Sequence, residues 1–95
     1  MFFHICCTDK ADHQQVRADN RSAHLEYMEG FIDNVLVAGP TLSEDGEAMT
    51  GSVLLMDFPD RAAAESFTAG DPYNMAGLFA KVVVQRWKKV LPKGD

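Results

Sequence analysis

Cysteine is scarce in this chain, and the two present, Cys6 and Cys7, are adjacent. Neighbouring cysteines close no useful loop, so a disulfide framework is excluded. The pair matches no C-x-x-C redox or zinc spacing either. It reads as two small apolar strand residues in a reducing compartment, with a reactive thiol pair as the alternative. Basic residues are also few: 9 Lys and Arg stand against 14 Asp and Glu, a net charge of −5. With no long basic run, nucleic-acid binding is not expected, because that footprint is basic. No apolar stretch approaches the roughly 20 residues that span a membrane. The apolar start, Met1 to Cys7, lacks a basic n-region and a small-residue cleavage site. It is therefore not read as a signal peptide, and the expected location is the cytoplasm.

What is plentiful is apolar side chain, 46% of 95 residues. A chain of this length makes one domain, 1–95. So small a domain buries only roughly 60–65% of its unfolded surface. The apolar supply is thus more than one small core asks for.

The pattern along the chain predicts β-α-β-β-α-β. Phe2 to Cys7 reads as a strand. His13 to about Glu29 reads as a helix ended by Gly30. Val35 to Ala38 is a second strand, closed by Gly39-Pro40. Thr41 to Thr50 is a polar loop turning at Gly46. Gly51 to Phe58 is a third strand. Pro59 suits the first turn of a second helix, with Asp60 at the positive end of its dipole; that helix breaks near Gly70. Asp71-Pro72 reads as a cap and first residue of a helical turn running to Phe79. Lys81 to Val90 is the last strand, and 92–95 a tail. The order is the ferredoxin-like α+β plan, an antiparallel sheet with helices on one face.

A sheet covered on one face should alternate apolar and polar residues. These strands do not. Phe2 and Cys6 oppose Phe3, Ile5 and Cys7. Val35 and Val37 oppose Leu36 and Ala38. Val53 and Leu55 oppose Leu54, Met56 and Phe58. Val82 and Val84 oppose Val83 and Trp87. Something must cover the helix-free face, and the simplest cover is the same face of a second copy, giving a two-fold homodimer.

The first helix carries the candidate chemistry. At about 100° per residue, Asp12, Gln15, Asp19, Ser22, Glu26 and Glu29 form an acidic solvent sector. The opposite sector holds Val16, Ala23, Leu25, Tyr27, Met28 and Phe31. Near its middle it also holds Arg17, Arg21 and His24, on adjacent turns of one stripe. Buried charges need partners. The arginines either snorkel, pair with carboxylates such as Asp9 or Asp57, or line a wet cleft that suits a small anion. His24 reads as a satisfied core residue or, beside a carboxylate, as a general base. Asp71 reads as an N-cap. His4, His13 and His24 with the cysteines show no metal-ligand spacing. Gly39, Gly70 and Gly77 make no phosphate loop, and no nucleophile motif appears. No metal or cofactor is therefore expected, and the arginines flanking His24 make haem ligation unattractive. Ser52, after Gly51, ends a loop or points into the same cleft.

These residues resemble the YciI-related family of the dimeric α/β-barrel group. Asp9-Lys10, Arg17, Arg21 and His24-Leu25 look like its first motif. Ala38-Gly39-Pro40 resembles the end of its second strand, and Gly51-Ser52 the start of its third. Asp71-Pro72-Tyr73 with Ala76-Gly77-Leu78-Phe79 resembles its most specific motif. Arg86 departs from the pattern, standing where the family usually places proline, at an edge or pocket wall. The resemblance implies a ferredoxin-like dimer with a His-Asp pair in a cleft, which maps onto His24 and Asp71. Arg17, Arg21, Ser52 and Tyr73 become the expected substrate-binding residues. The leading expectation is a cofactor-free acid–base enzyme acting on a small organic acid, of isomerase, lyase or hydrolase/dehalogenase type. The second is a non-catalytic module binding a small anionic metabolite; the third is a structural or assembly role.

Overall fold

A computed structural model describes residues 1–94; Asp95, the last residue of the expected tail, lies outside them. The elements are β1 (Phe2–Asp9), α1 (Gln14–Glu29), β2 (Val35–Leu42), β3 (Met49–Asp57), α2 (Arg61–Gly70), α3 (Pro72–Met75) and β4 (Phe79–Trp87), with a single 3-10 turn at Ile32–Asn34. The strands form one antiparallel sheet in the order β2-β3-β1-β4. That is the expected ferredoxin-like arrangement.

Three local expectations are corrected. Gly39-Pro40 does not end β2, which runs on to Leu42 and pairs with Met49. Because β2 is an edge strand, the missing N–H of Pro40 costs no ladder bond. The connecting loop shrinks to 43–48, turning at Gly46, whose φ is +76°. Asp60, not Pro59, opens α2: its side chain accepts from the Ala63 N–H at 2.8 Å, so Pro59 precedes the cap. The helical turn after Asp71 stops at Met75, and β4 begins at Phe79 rather than Lys81.

On the sheet face beneath the helices, Phe3, Ile5, Cys7, Leu54 and Met56 are buried against Met28, Ala64 and Phe67. At one end of this core the aromatic rings gather. Phe67 lies 4.9 Å from Phe31 and 5.4 Å from both Tyr27 and Phe58, centroid to centroid. Rings at such separations add to their burial by about 0.5–1.5 kcal/mol a pair. Tyr27 keeps its hydroxyl satisfied by donating to the Phe67 carbonyl at 2.9 Å. This cluster holds the C-terminal half of α1 down, and leaves the N-terminal half over the far end of β1, where the polar side chains collect.

The other face carries Phe2, Cys6, Val53, Leu55, Val83 and Trp87, none of them fully buried. Phe2 meets Trp87 edge-on at 6.0 Å. Val35 and Val37 were expected to share a face. A register shift at Leu36 separates them: Val35 pairs with Met56 above the core, whereas Val37 pairs with Leu55 on the open face and is 56% exposed. A bulge turns a strand over by one residue, which period-two counting misses. On α1, Ala23 and Leu25 also prove exposed rather than core-facing, because Arg17, His24 and Met28 take the buried stripe. No helix among the described residues is long and apolar enough to cross a membrane.

Candidate functional site

Arg17 lies in the first turns of α1, directly over the end of β1. Its Nε donates to Asp9 Oδ2 at 2.8 Å, and its Nη2 to Asp9 Oδ1 at 3.0 Å and to Ser52 Oγ at 3.1 Å. Of the two carboxylates considered for the arginines, Asp9 is the partner; Asp57 instead accepts from the amino group of Met1. Burial works against the Arg17 charge, but the hydrogen bonds and charge of Asp9 outweigh it and hold the guanidinium above its ordinary pKa. The fork geometry of a bidentate pair suits this buried place.

Ser52 reaches the site because β3 approaches β1 closely at Gly51. A Cβ at Gly51 would strike the backbone carbonyl of Cys7. The strand can therefore seat its next residue, Ser52, on the helix side only with glycine before it.

One helical turn beyond Arg21, His24 is buried, and its Nδ1 lies 2.8 Å from Asp71 Oδ1. A carboxylate only accepts, so Nδ1 carries the hydrogen and Nε2 is the free nitrogen. The same Asp71 oxygen accepts from the Tyr73 backbone N–H at 2.9 Å, capping α3. Asp71 is thus both the cap read from Asp-Pro and the histidine's partner. The Tyr73 ring stacks on the imidazole at 4.0 Å. Burial pushes the Tyr73 phenol up, with Arg17 and Arg21 pulling the other way, so its hydroxyl stays protonated at neutral pH.

Arg21 is exposed at the rim, and Tyr73 and Ser52 are buried beside it. Together with Arg17 and His24 they form the polar end of a cleft of about 580 Å³. Most of its other walls are apolar, Leu25, Met28 and Ile32 from the helix side and Val35, Pro40 and Leu54 from the sheet, while Glu26 and Glu29 of α1 also border it. Five of the six residues singled out in the sequence, Arg17, Arg21, His24, Ser52 and Tyr73, therefore line one cavity, and Asp71 meets it only through its bond to His24. The apolar walls were not foreseen, because Val35, Met28 and Leu54 read only as core. The stack of Tyr73 on His24 had no sequence signal, since 49 positions separate them.

Cys7 packs under the same end. Burial, then the charges of Asp71, Cys6 and Asp9, push its thiol up to about 12, so it is no thiolate nucleophile at neutral pH. Among the described residues no three of His, Cys, Asp and Glu gather in a way that could hold a metal ion. Arg86, the departure from the family pattern, sits on the edge strand β4 with its guanidinium 6.0 Å over Phe3, and does not line the cleft.

Residues 1–88 match the YCII-related domain. The chain belongs to the YCII-related family. Protein YciI of Escherichia coli is 34% identical, over 95% of this chain and 99% of that protein. An uncharacterized protein of Haemophilus influenzae is 32% identical over the same shares. Among solved structures, this YCII-related chain is similar to 5-chloro-2-hydroxyhydroquinone dehydrochlorinase from Burkholderia phenoliruptrix, determined in complex with 2,5-dihydroxybenzoquinone. The two share 42% identity and a TM-score of 0.87, over 93% of this chain and 94% of that one. The similar structure is thus a small-molecule enzyme that binds a small ring compound.

Proposed function

We propose that this YCII-related protein is an acid–base enzyme for small acidic ring compounds, working with its own side chains. The observation that carries the reading is the buried His24–Asp71 pair at 2.8 Å, whose histidine lines the polar end of a largely apolar cleft. Asp71 keeps the hydrogen on Nδ1 and leaves Nε2 to take a proton from a substrate hydroxyl or activated carbon, and to return it elsewhere. Such a positioned base contributes typically 10²–10⁴-fold. Arg21, whose guanidinium has no ion pair among the described residues, holds an anionic oxygen at the rim. Arg17 is committed to Asp9 and adds positive charge from beneath, while Ser52 offers a further hydrogen bond. Leu25, Met28, Val35 and Leu54 suit the faces of a ring.

Hydroxylated, halogenated quinols fit this cleft, and a similar enzyme removes hydrogen chloride from one. Loss of hydrogen chloride moves a proton and releases an anion with no external oxidant. It therefore asks of the protein only a base, an acid and local positive charge. The test is chloride release from 5-chloro-2-hydroxyhydroquinone. Wild type should turn over, and folded His24→Ala and Asp71→Asn should lose about 10²-fold or more. Full rates in both variants refute the dyad. Binding of ring acids with no conversion of any would instead favour a binding module.

The protein is read as a two-fold homodimer, because Phe2, Val37, Val53, Leu55 and Trp87 leave an apolar sheet face uncovered in one copy. Light scattering at 10.5 kDa would refute this. The two free, adjacent thiols suit a cytoplasmic setting.

A further inference from the structure

Tyr73 has a large ring and almost no surface of its own, at 2% exposed. What the ring touches is the base. It lies 4.0 Å from the His24 imidazole with only 14° between the planes. Phe79 braces it edge-on at 6.1 Å, and the Arg17 guanidinium lies 4.7 Å from its centroid. Its backbone N–H donates to the same Asp71 oxygen that accepts from His24.

These contacts hold the imidazole in two different ways. Asp71 holds an edge, through one hydrogen bond about which the ring is still free to rock. A flat neighbour in face contact removes that rocking. The two holders are not independent, because the turn Asp71-Pro72-Tyr73 joins them and is closed by the cap. Moving the carboxylate would move the stacking ring with it. Sequence distance hides this: His24 arrives from α1, and both of its holders arrive from α3.

We propose that Tyr73 is a positioning residue whose ring sets the plane of the His24 imidazole and so aims Nε2 into the cleft. Its effect on turnover rests on the acid–base reading of His24; its effect on the ring does not. The hydroxyl is not the active part, because the stack is made by the ring face. A substrate-contact role for Tyr73 would instead depend on the hydroxyl, the one group able to bond a polar ligand.

The test compares Tyr73→Phe and Tyr73→Leu in the full chain by two readouts. The first is nitrogen and proton NMR of the His24 ring without ligand. The second is kcat and KM for the chlorinated quinol. Wild type and Tyr73→Phe should show a single tautomer, hydrogen on Nδ1, with ring protons displaced upfield by the stacked neighbour. Tyr73→Leu should lose that displacement and mix tautomers. Its kcat should fall on the order of tenfold to a hundredfold with KM little changed, as expected for a base misplaced by about an ångström.

Tyr73→Phe keeps the ring, so it should keep the single tautomer and the upfield displacement and lose less kcat than Tyr73→Leu. A folded Tyr73→Leu with one tautomer and an unchanged kcat overturns the proposal. So does a Tyr73→Phe as impaired as Tyr73→Leu. If Tyr73→Leu does not fold, His24 ring protons lacking the upfield displacement in wild type overturn it. Should wild type convert no quinol, the acid–base reading falls, while the NMR comparison still decides the positioning role.

Discussion

Replacing Asp71 with alanine removes one oxygen that serves two buried donors. The Tyr73 N–H at 2.9 Å loses its cap, worth about 1 kcal/mol. The His24 Nδ1–H at 2.8 Å loses its acceptor in a place without room for easy hydration, a cost of about 1–3 kcal/mol. The two losses together come to about 2–4 kcal/mol, a large share of the roughly 5–15 kcal/mol of a domain. Asp71→Asn presents a carbonyl oxygen at the same place, and asparagine caps about as well as aspartate. It should therefore keep most of the stability, within about 1 kcal/mol, while losing the anion that steadies the imidazolium. The assay is urea unfolding of wild type, Asp71→Ala and Asp71→Asn at one protein concentration, with equal m-values required before midpoints are compared. Alanine and asparagine variants of equal stability would refute the shared-acceptor reasoning. An Asp71→Asn variant with full turnover would refute the role of the charge.

Three further outcomes follow from other contacts. Gly51→Ala should destabilise by about 1–3 kcal/mol in thermal unfolding, because its Cβ meets the Cys7 carbonyl and β3 must move away from β1. Arg17→Met should cost about 3–5 kcal/mol by leaving Asp9 buried without its partner, and the double variant with Asp9→Asn should recover part of that loss. Cys7, pushed up from 9.0 to about 12, keeps its proton in the folded chain while the unfolded thiol loses it. Stability should therefore fall as pH rises past 9, by up to about 1.4 kcal/mol per unit. Cys7→Ala should lessen that fall in urea midpoints taken between pH 9 and 10, and the raised tyrosines Tyr27 and Tyr73 add to what remains as pH nears their ordinary 10.0.

The residues that line the cleft were legible one by one, for reasons of residue type. Arg17, Arg21 and His24 stand on one stripe of a helix whose other stripe is acidic, and a charge on a buried face needs a reason. Asp71 was visible as a cap because Asp-Pro has few other uses. Less legible were the places where a neighbour overrode the local rule. Gly39-Pro40 looks like a stop, yet on an edge strand the proline's missing donor faces solvent and pairing continues. Alternation misplaced Val35 because one bulged residue reverses every side chain after it.

By itself, the sequence determined the element order, the ferredoxin-like plan and the surplus of apolar strand faces. Each is a matter of period and composition within a short window of chain. Tertiary structure alone decided the pairings: that Asp9 rather than Asp57 takes Arg17, that one oxygen of Asp71 serves both a cap and a histidine, and that Tyr73 lies flat on His24. These contacts span 8 to 49 positions along the chain and have no period. They exist only because the aromatic cluster pins one end of α1 and the close approach at Gly51 seats the other end over β1. Hydrophobic burial brings the elements together, and the polar groups caught between them must then find the partners that the packing has put within reach.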